Sequence, residues 1–254
     1  MSRWSAKSVR IALTPGEIAL KRTDGAHTAR VLQTPDRSLA GLLPLLDEAL
    51  VGADWRARDI DILVSQHFVR HVLTPPPHKA LSREEEHALV SGSFEAIYGE
   101  VSAAWRVDVV SQPPAFGLMG AAIDAGFIDQ LETLLVRHTF RRIAIRPLAS
   151  AAARRLPRHY AGWWALVEPG WLSLFAGSGG VWHHLTAQPV GDDWADTLRE
   201  LVARESELVS PPPRPTVWVQ LVGATAEPSP PDEASWTLLP SVRDARGALA
   251  LLAL

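Results

Sequence analysis

Residues 165–174 read ALVEPGWLSL, and residues 11–20 read IALTPGEIAL. Laid over each other without gaps, both run from apolar residues through Glu168 or Thr14 into Pro-Gly, then into alternating apolar positions. Alternation with a period of two marks a strand. Pro-Gly is turn chemistry, because proline presets its φ and glycine accepts a positive one. Each copy therefore reads as a strand, a tight turn and a second strand. A third extended segment follows each, His27–Thr34 and Val181–Gln188, and then a helix, Asp36–Leu50 and Asp193–Glu207. Two β-β-β-α units about 154 positions apart point to a duplicated architecture. The competing account is that short Pro-Gly hairpins recur by chance; the helix recurring at the corresponding place favours duplication.

The other elements follow from the same signals. Leucines at 39, 42, 43, 46 and 50 form a helical stripe with Asp36 as its N-cap, and Asp192 is the expected cap of the second unit's helix. Thr23–Ala26 has hairpin chemistry. Asp59–Val64 reads as a strand paired with Phe68–Leu73. Ser82-Arg-Glu-Glu85 is a capping box that opens a helix to about Tyr98. Strands are expected at Trp105–Val110, Phe116–Ala122, Arg142–Ile145, Thr216–Val222 and Ser235–Leu239, with helices at Phe127–His138 and near Ser150–Leu156. The Pro-rich stretches SPPPRP (210–215) and EPSPPDEAS (227–235) read as surface connections, and GALALLAL (247–254) as a buried strand or helix. The class is α/β with mixed sheets.

Composition narrows the function. The 254 residues are 47% hydrophobic and 21% charged, with a net charge of −3, so no bulk field draws the chain to nucleic acid. The absence of cysteine excludes disulfides, thiolate metal sites and cysteine nucleophiles. The N-terminus lacks a signal-peptide core, and no segment approaches the ~20 apolar residues that span a bilayer. A cytoplasmic protein without a membrane span is the expectation.

The conspicuous motifs carry little chemistry. Gly177-Ser178-Gly179-Gly180 is not followed by Lys-Ser/Thr, so it reads as a hairpin turn and not a phosphate loop. His183 and His184 are strand neighbours on opposite faces and cannot chelate one ion; His67 and His71 lie too far apart along their strand. No Gly-x-Ser-x-Gly elbow is present, and Gly92 between Ser91 and Ser93 reads as a tight-packing position inside a helix. Glu84, Glu85 and Glu86 complement a helix dipole. Trp163 and Trp164 face opposite ways, so one is expected in the core and the other at the surface. With Trp171 they are the candidate protein-binding residues.

Two β-β-β-α halves resemble the actin-like, ribonuclease H-like duplicated fold shared by actin, sugar kinases and heat-shock ATPases. The resemblance implies one half over 1–150, with an inserted subdomain, and another over 151–254. In that group the first hairpin turn of each half contacts phosphate, and an acidic residue orients a hydrated metal. The matching positions are Thr14 and Gly16 in one turn and Glu168 and Gly170 in the other. Pro15 and Pro169 lack amide donors, the first turn has no aspartate, and Trp171 stands where a small residue would face phosphate. These are vestigial phosphate turns, and neither a cofactor nor a resident metal is expected.

Residues 116–153, FGLMGAAIDAGFIDQLETLLVRHTFRRIAIRPLASAAA, look like the middle of the PilM class of pilus assembly proteins and of the cytoplasmic part of GspL of type II secretion. That resemblance implies a non-catalytic scaffold, peripheral at the inner membrane, binding an assembly-platform protein or its cytoplasmic peptide. A homodimer stays open. The competing readings are an active ATPase or sugar kinase using Mg-ATP and Glu168, and an α/β domain unrelated to actin.

Overall fold

A computed structural model describes residues 8–23, 29–51, 55, 57–209, 213–223, 236–240 and 247–253. The first part of the chain contains β1 (Ser8–Thr14), β2 (Glu17–Arg22), β3 (Ala29–Gln33), α1 (Leu39–Leu50), β4 (Asp59–Val64) and β5 (Arg70–Leu73). Next come α2 (Arg83–Tyr98), β6 (Trp105–Ser111), β7 (Leu118–Asp124), α3 (Ala125–Arg137), β8 (Arg142–Pro147) and α4 (Leu148–Ala152). The remainder contains β9 (Ala161–Glu168), β10 (Trp171–Ser178), β11 (Val181–Pro189), α5 (Trp194–Leu208), β12 (Val217–Leu221), β13 (Trp236–Leu238) and α6 (Gly247–Leu251).

Two five-stranded sheets share one topology. Their orders are β3-β2-β1-β4-β8 and β11-β10-β9-β12-β13. In each, an antiparallel hairpin triple is extended by two parallel strands. The correspondence reaches single backbone bonds. Ser65 N–H donates to the Leu13 carbonyl at 2.9 Å, and Val222 N–H donates to the Val167 carbonyl at 2.9 Å. Thr34 N–H reaches the Gly16 carbonyl at 2.9 Å, and Val190 N–H reaches the Gly170 carbonyl at 3.2 Å. The repeat read from the two Pro-Gly turns is thus a repeat of the whole sheet.

Each sheet packs an outer helical layer on one face. Ile11, Leu13, Ile18 and Ile62 meet α1 and α3 in the first half, while Trp163, Ala165, Leu172 and Leu174 meet α5 in the second. The opposite faces meet each other across α4 and α6. There the small Ala12 and Ala19 leave room for Leu148, Ala152, Ala248 and Leu251, and Trp164, Leu166 and Phe175 close the layer from the other half. A sheet covered on both faces needs apolar residues at successive positions, which is why β9 reads as a continuous buried run. This corrects the expectation for the tryptophans. Trp163 and Trp164 do point to opposite faces, but both faces are covered and each is only 1% exposed.

Between β4 and α3 sits an inserted module, the sheet β5-β7-β6 with α2 on it. Arg70–Leu73 belongs here, paired antiparallel to β7, and not beside Asp59–Val64 as the sequence led us to expect. The reason is that β4 already has parallel partners on both sides, β1 and β8. The tight glycine is also elsewhere. A Cβ on Gly92 would meet nothing within 4 Å, whereas one on Gly120 in β7 would lie 2.4 Å from Val90 and 3.0 Å from Phe94 of α2.

The helix starts differ in detail. Ser82 and Glu85 form the expected capping box. Ser38, not Asp36, caps α1 by accepting Gly41 N–H at 3.2 Å; Asp36 instead accepts Ser38 N–H at 2.9 Å, one step earlier in the chain. The residue at the N-cap of α5 is Asp193, one position beyond Asp192. The Gly179-Gly180 turn closes the β10–β11 hairpin with φ of 57° and 85°. The turn at 24–26, the start of the third strand at 27–28 and the loop 227–235 lie outside the described residues.

Candidate functional site

The two Pro-Gly turns sit at the C-terminal ends of β1 and β9, the ends where open α/β sheets place their ligands. Gly16 and Gly170 take φ of +79° and +81°, a conformation that favours glycine. In the first turn the Thr14 hydroxyl donates to the Glu17 carbonyl at 3.3 Å. The Glu17 side chain reaches the other half, where its Oε2 accepts Ala248 N–H at 2.9 Å at the start of α6.

The second turn is tied more firmly. Glu168, at the end of β9, is buried, and both of its carboxylate oxygens are engaged by the residues that follow β4. Oε2 accepts the Ser65 hydroxyl at 2.5 Å, and Oε1 accepts Gln66 N–H at 2.9 Å. Burial lifts the carboxyl to about 7, partly offset by these two bonds. Gln66 continues the link, its Oε1 accepting Ala149 N–H at 3.4 Å in α4. Its Nε2 is buried without a partner among the described residues.

Beside this cluster His67 Nε2 lies 2.9 Å from the Pro169 carbonyl. Burial, the largest cause, together with the Arg37 and Arg70 charges, lowers the imidazole below its ordinary value despite that bond. Trp171, the residue after the turn, packs its ring 5.4 Å from His67 and 5.6 Å from the Arg70 guanidinium carbon. It is partly exposed, unlike Trp163 and Trp164.

The fold therefore gathers Thr14, Gly16, Glu168 and Gly170 around the ends of β1, β4 and β9. Trp171 joins them, while Trp163 and Trp164 stay in the core. Sequence reasoning missed Ser65, Gln66 and Arg70, and weighed His67 only as a metal ligand with His71. Their signal was present, because Ser-Gln-His breaks the apolar run Ile62-Leu63-Val64 at the end of a parallel strand.

Both Glu168 oxygens face protein donors, one on each oxygen. Among the described residues no group of three or more His, Cys, Asp or Glu side chains is placed to hold a metal ion. His184 and His183 serve separate contacts: His184 Nε2 lies 2.7 Å from Glu205 Oε2, while the exposed His183 packs its ring 4.9 Å from Phe116.

No protein-family model matches the chain, and no curated protein matches its sequence. Solved structures do match. The cytoplasmic domain of EpsL, an inner membrane component of the type II secretion system of Vibrio cholerae, aligns over 98% of this chain and 93% of its own, with 14% identity and a TM-score of 0.59. A Bacteroides thetaiotaomicron protein with an actin-like ATPase fold aligns over 89% and 87%, at 10% identity and a TM-score of 0.56. The PilM–PilN type IV pilus biogenesis complex aligns over 84% and 81%, at 14% identity and a TM-score of 0.54. The chain has the actin-like fold, with two mixed-sheet halves and a PilM/GspL-like arrangement.

Proposed function

We propose that this actin-like chain is a non-catalytic scaffold in a pilus or type II secretion-like assembly platform, where it holds a partner protein's cytoplasmic segment. One observation carries the reading. The acid that would orient a metal, Glu168, is buried and spends both oxygens on Ser65 and Gln66 across the two halves. A side chain so placed fastens the halves together. Proline at 15 and 169, and Trp171 after the second turn, remove donors and space from the same region.

The likeness to EpsL and to PilM, which occurs in a complex with PilN, supports a place beside an inner-membrane partner. No described helix is long and apolar enough to cross a membrane. The chain then acts from the cytoplasmic side and reaches the membrane through that partner, without a nucleotide or metal cofactor.

Isothermal titration of the full chain with Mg-ATP tests this. No saturable heat is expected up to millimolar nucleotide. Micromolar binding that is lost in Glu168→Ala would instead establish an active ATPase or sugar kinase using Glu168.

A further inference from the structure

A groove of about 950 Å3 separates the β10–β11 face of the second half from β5 and the C-terminal end of α2. Its floor includes His71 and Phe175, whose rings meet edge to face at 6.1 Å. Its rim carries Ile97 and Leu208, which are 64% and 69% exposed. Both add exposed aliphatic surface to the walls of the groove, area that an apolar partner can cover.

The groove runs beside an unfinished sheet edge. β11 ends its sheet, with no strand beyond it among the described residues. At Trp182 the Gln112 side chain stands in for the missing strand: its Oε1 accepts Trp182 N–H at 2.6 Å and its Nε2–H donates to the Trp182 carbonyl at 3.2 Å. These are the two bonds a paired strand makes with one residue of an antiparallel neighbour. Past the irregularity in pairing at Ala176/Gly177, the edge continues through Leu185–Ala187 along the groove.

The charge of the lining is one-sided. It contains Arg70 and no aspartate or glutamate. The Arg70 guanidinium donates to the His67 carbonyl at 3.0 Å and lies over Trp171, with no carboxylate partner among the described residues.

We infer that this groove holds an extended segment of a partner protein, with alternating apolar and carboxylate side chains, laid along the outer edge of β11. Main-chain bonds to the edge supply the register, Ile97 and Leu208 cover the apolar side chains, and Arg70 pairs with a carboxylate. The inference rests on the scaffold reading and gives it a site.

The test uses random dodecapeptides displayed on phage and selected against the full chain. Selected sequences are expected to alternate apolar residues with Asp or Glu. A labelled synthetic copy of their consensus is then titrated by fluorescence anisotropy. Leu208→Asp, Ile97→Asp and Arg70→Gln should each weaken it about tenfold or more. Val110→Asp, at an exposed position on β6 outside the groove, should leave it unchanged. Circular dichroism melts show that each variant is folded. Peptide binding untouched by all three groove variants overturns the groove while leaving the scaffold reading standing. Failure to select any peptide also overturns it, and the nucleotide titration then judges the scaffold reading separately. A dimer in sedimentation velocity that Leu208→Asp dissociates assigns the groove to a second copy and overturns the partner assignment.

Discussion

The Glu168 carboxylate accepts the Ser65 hydroxyl at 2.5 Å, joining the end of β9 in one half to the end of β4 in the other. Ser65 also gives its own N–H to Leu13 in β1, so one residue ties three strand ends together. Removing the hydroxyl leaves a buried carboxyl with one donor fewer. Ser65→Ala is therefore expected to cost about 1–3 kcal/mol in urea unfolding. Glu168→Gln keeps an acceptor for one of the two donors and should cost less than Glu168→Ala. Equal stability of Glu168→Ala and the parent chain would show that the bond across the halves contributes nothing.

Trp164 should behave as a core residue. Its ring stacks on Phe175 at 4.9 Å and on Trp182 at 5.6 Å, in the layer between the two sheets. Trp164→Ala is expected to lose about 3–5 kcal/mol. Trp164→Phe should lose much less, because the indole N–H is buried without a partner among the described residues and phenylalanine removes it. Thermal unfolding of the two variants checks the ordering.

The inserted module depends on a close approach at Gly120, where an added Cβ would fall 2.4 Å from Val90. Gly120→Ala should push α2 off its sheet and cost about 1–3 kcal/mol by overpacking. Hydrogen exchange should rise in α2 and β5–β7, with β1 and β9 protected as before. Uniform loss of protection throughout the chain would instead make the module inseparable from the two halves.

The hairpins, their helices and the duplication were legible because alternation, Pro-Gly turns and leucine stripes are local signals. What stayed hidden depends on neighbours far along the chain. Nothing near Trp163 and Trp164 says that both faces of β9 are covered, one by α5 and the other by residues of the first half. Likewise Phe68–Leu73 looks like a natural partner for β4 until β8, many residues later, takes that edge. At the candidate site, Glu168 could be picked out as an acid at a turn. Its hydrogen-bond donors could not, since Ser65 and Gln66 lie about a hundred positions away and reach it only through the fold.

Glu168 also sets a pH dependence. Its carboxyl sits at about 7 in the folded chain, against an ordinary 4.5, chiefly because burial disfavours the charged form. A raised folded value means that its stabilising contribution is whole below the unfolded value and is lost as pH rises through about 7. His71 works in the opposite sense. Burial, aided by the Arg70 charge, lowers it from 6.5 to about 4, so its contribution is whole above 6.5 and is lost as pH falls toward 4. The two oppose each other between 4.5 and 6.5, and the unfolded imidazole is still half protonated at 6.5. His67 and His183, also lowered by burial, act in the same sense as His71. All three are shared by the parent chain and Glu168→Gln, so they drop out of the difference between the two proteins. In urea unfolding the parent chain should therefore lose stability relative to Glu168→Gln as pH rises from ~5 to ~8. The stability difference between the two proteins should shift across the whole window by a few kcal/mol at most, at about 1.4 kcal/mol per pKa unit. Parallel curves for the two proteins would place the Glu168 carboxyl at its ordinary value and remove the basis for its neutral, structural role.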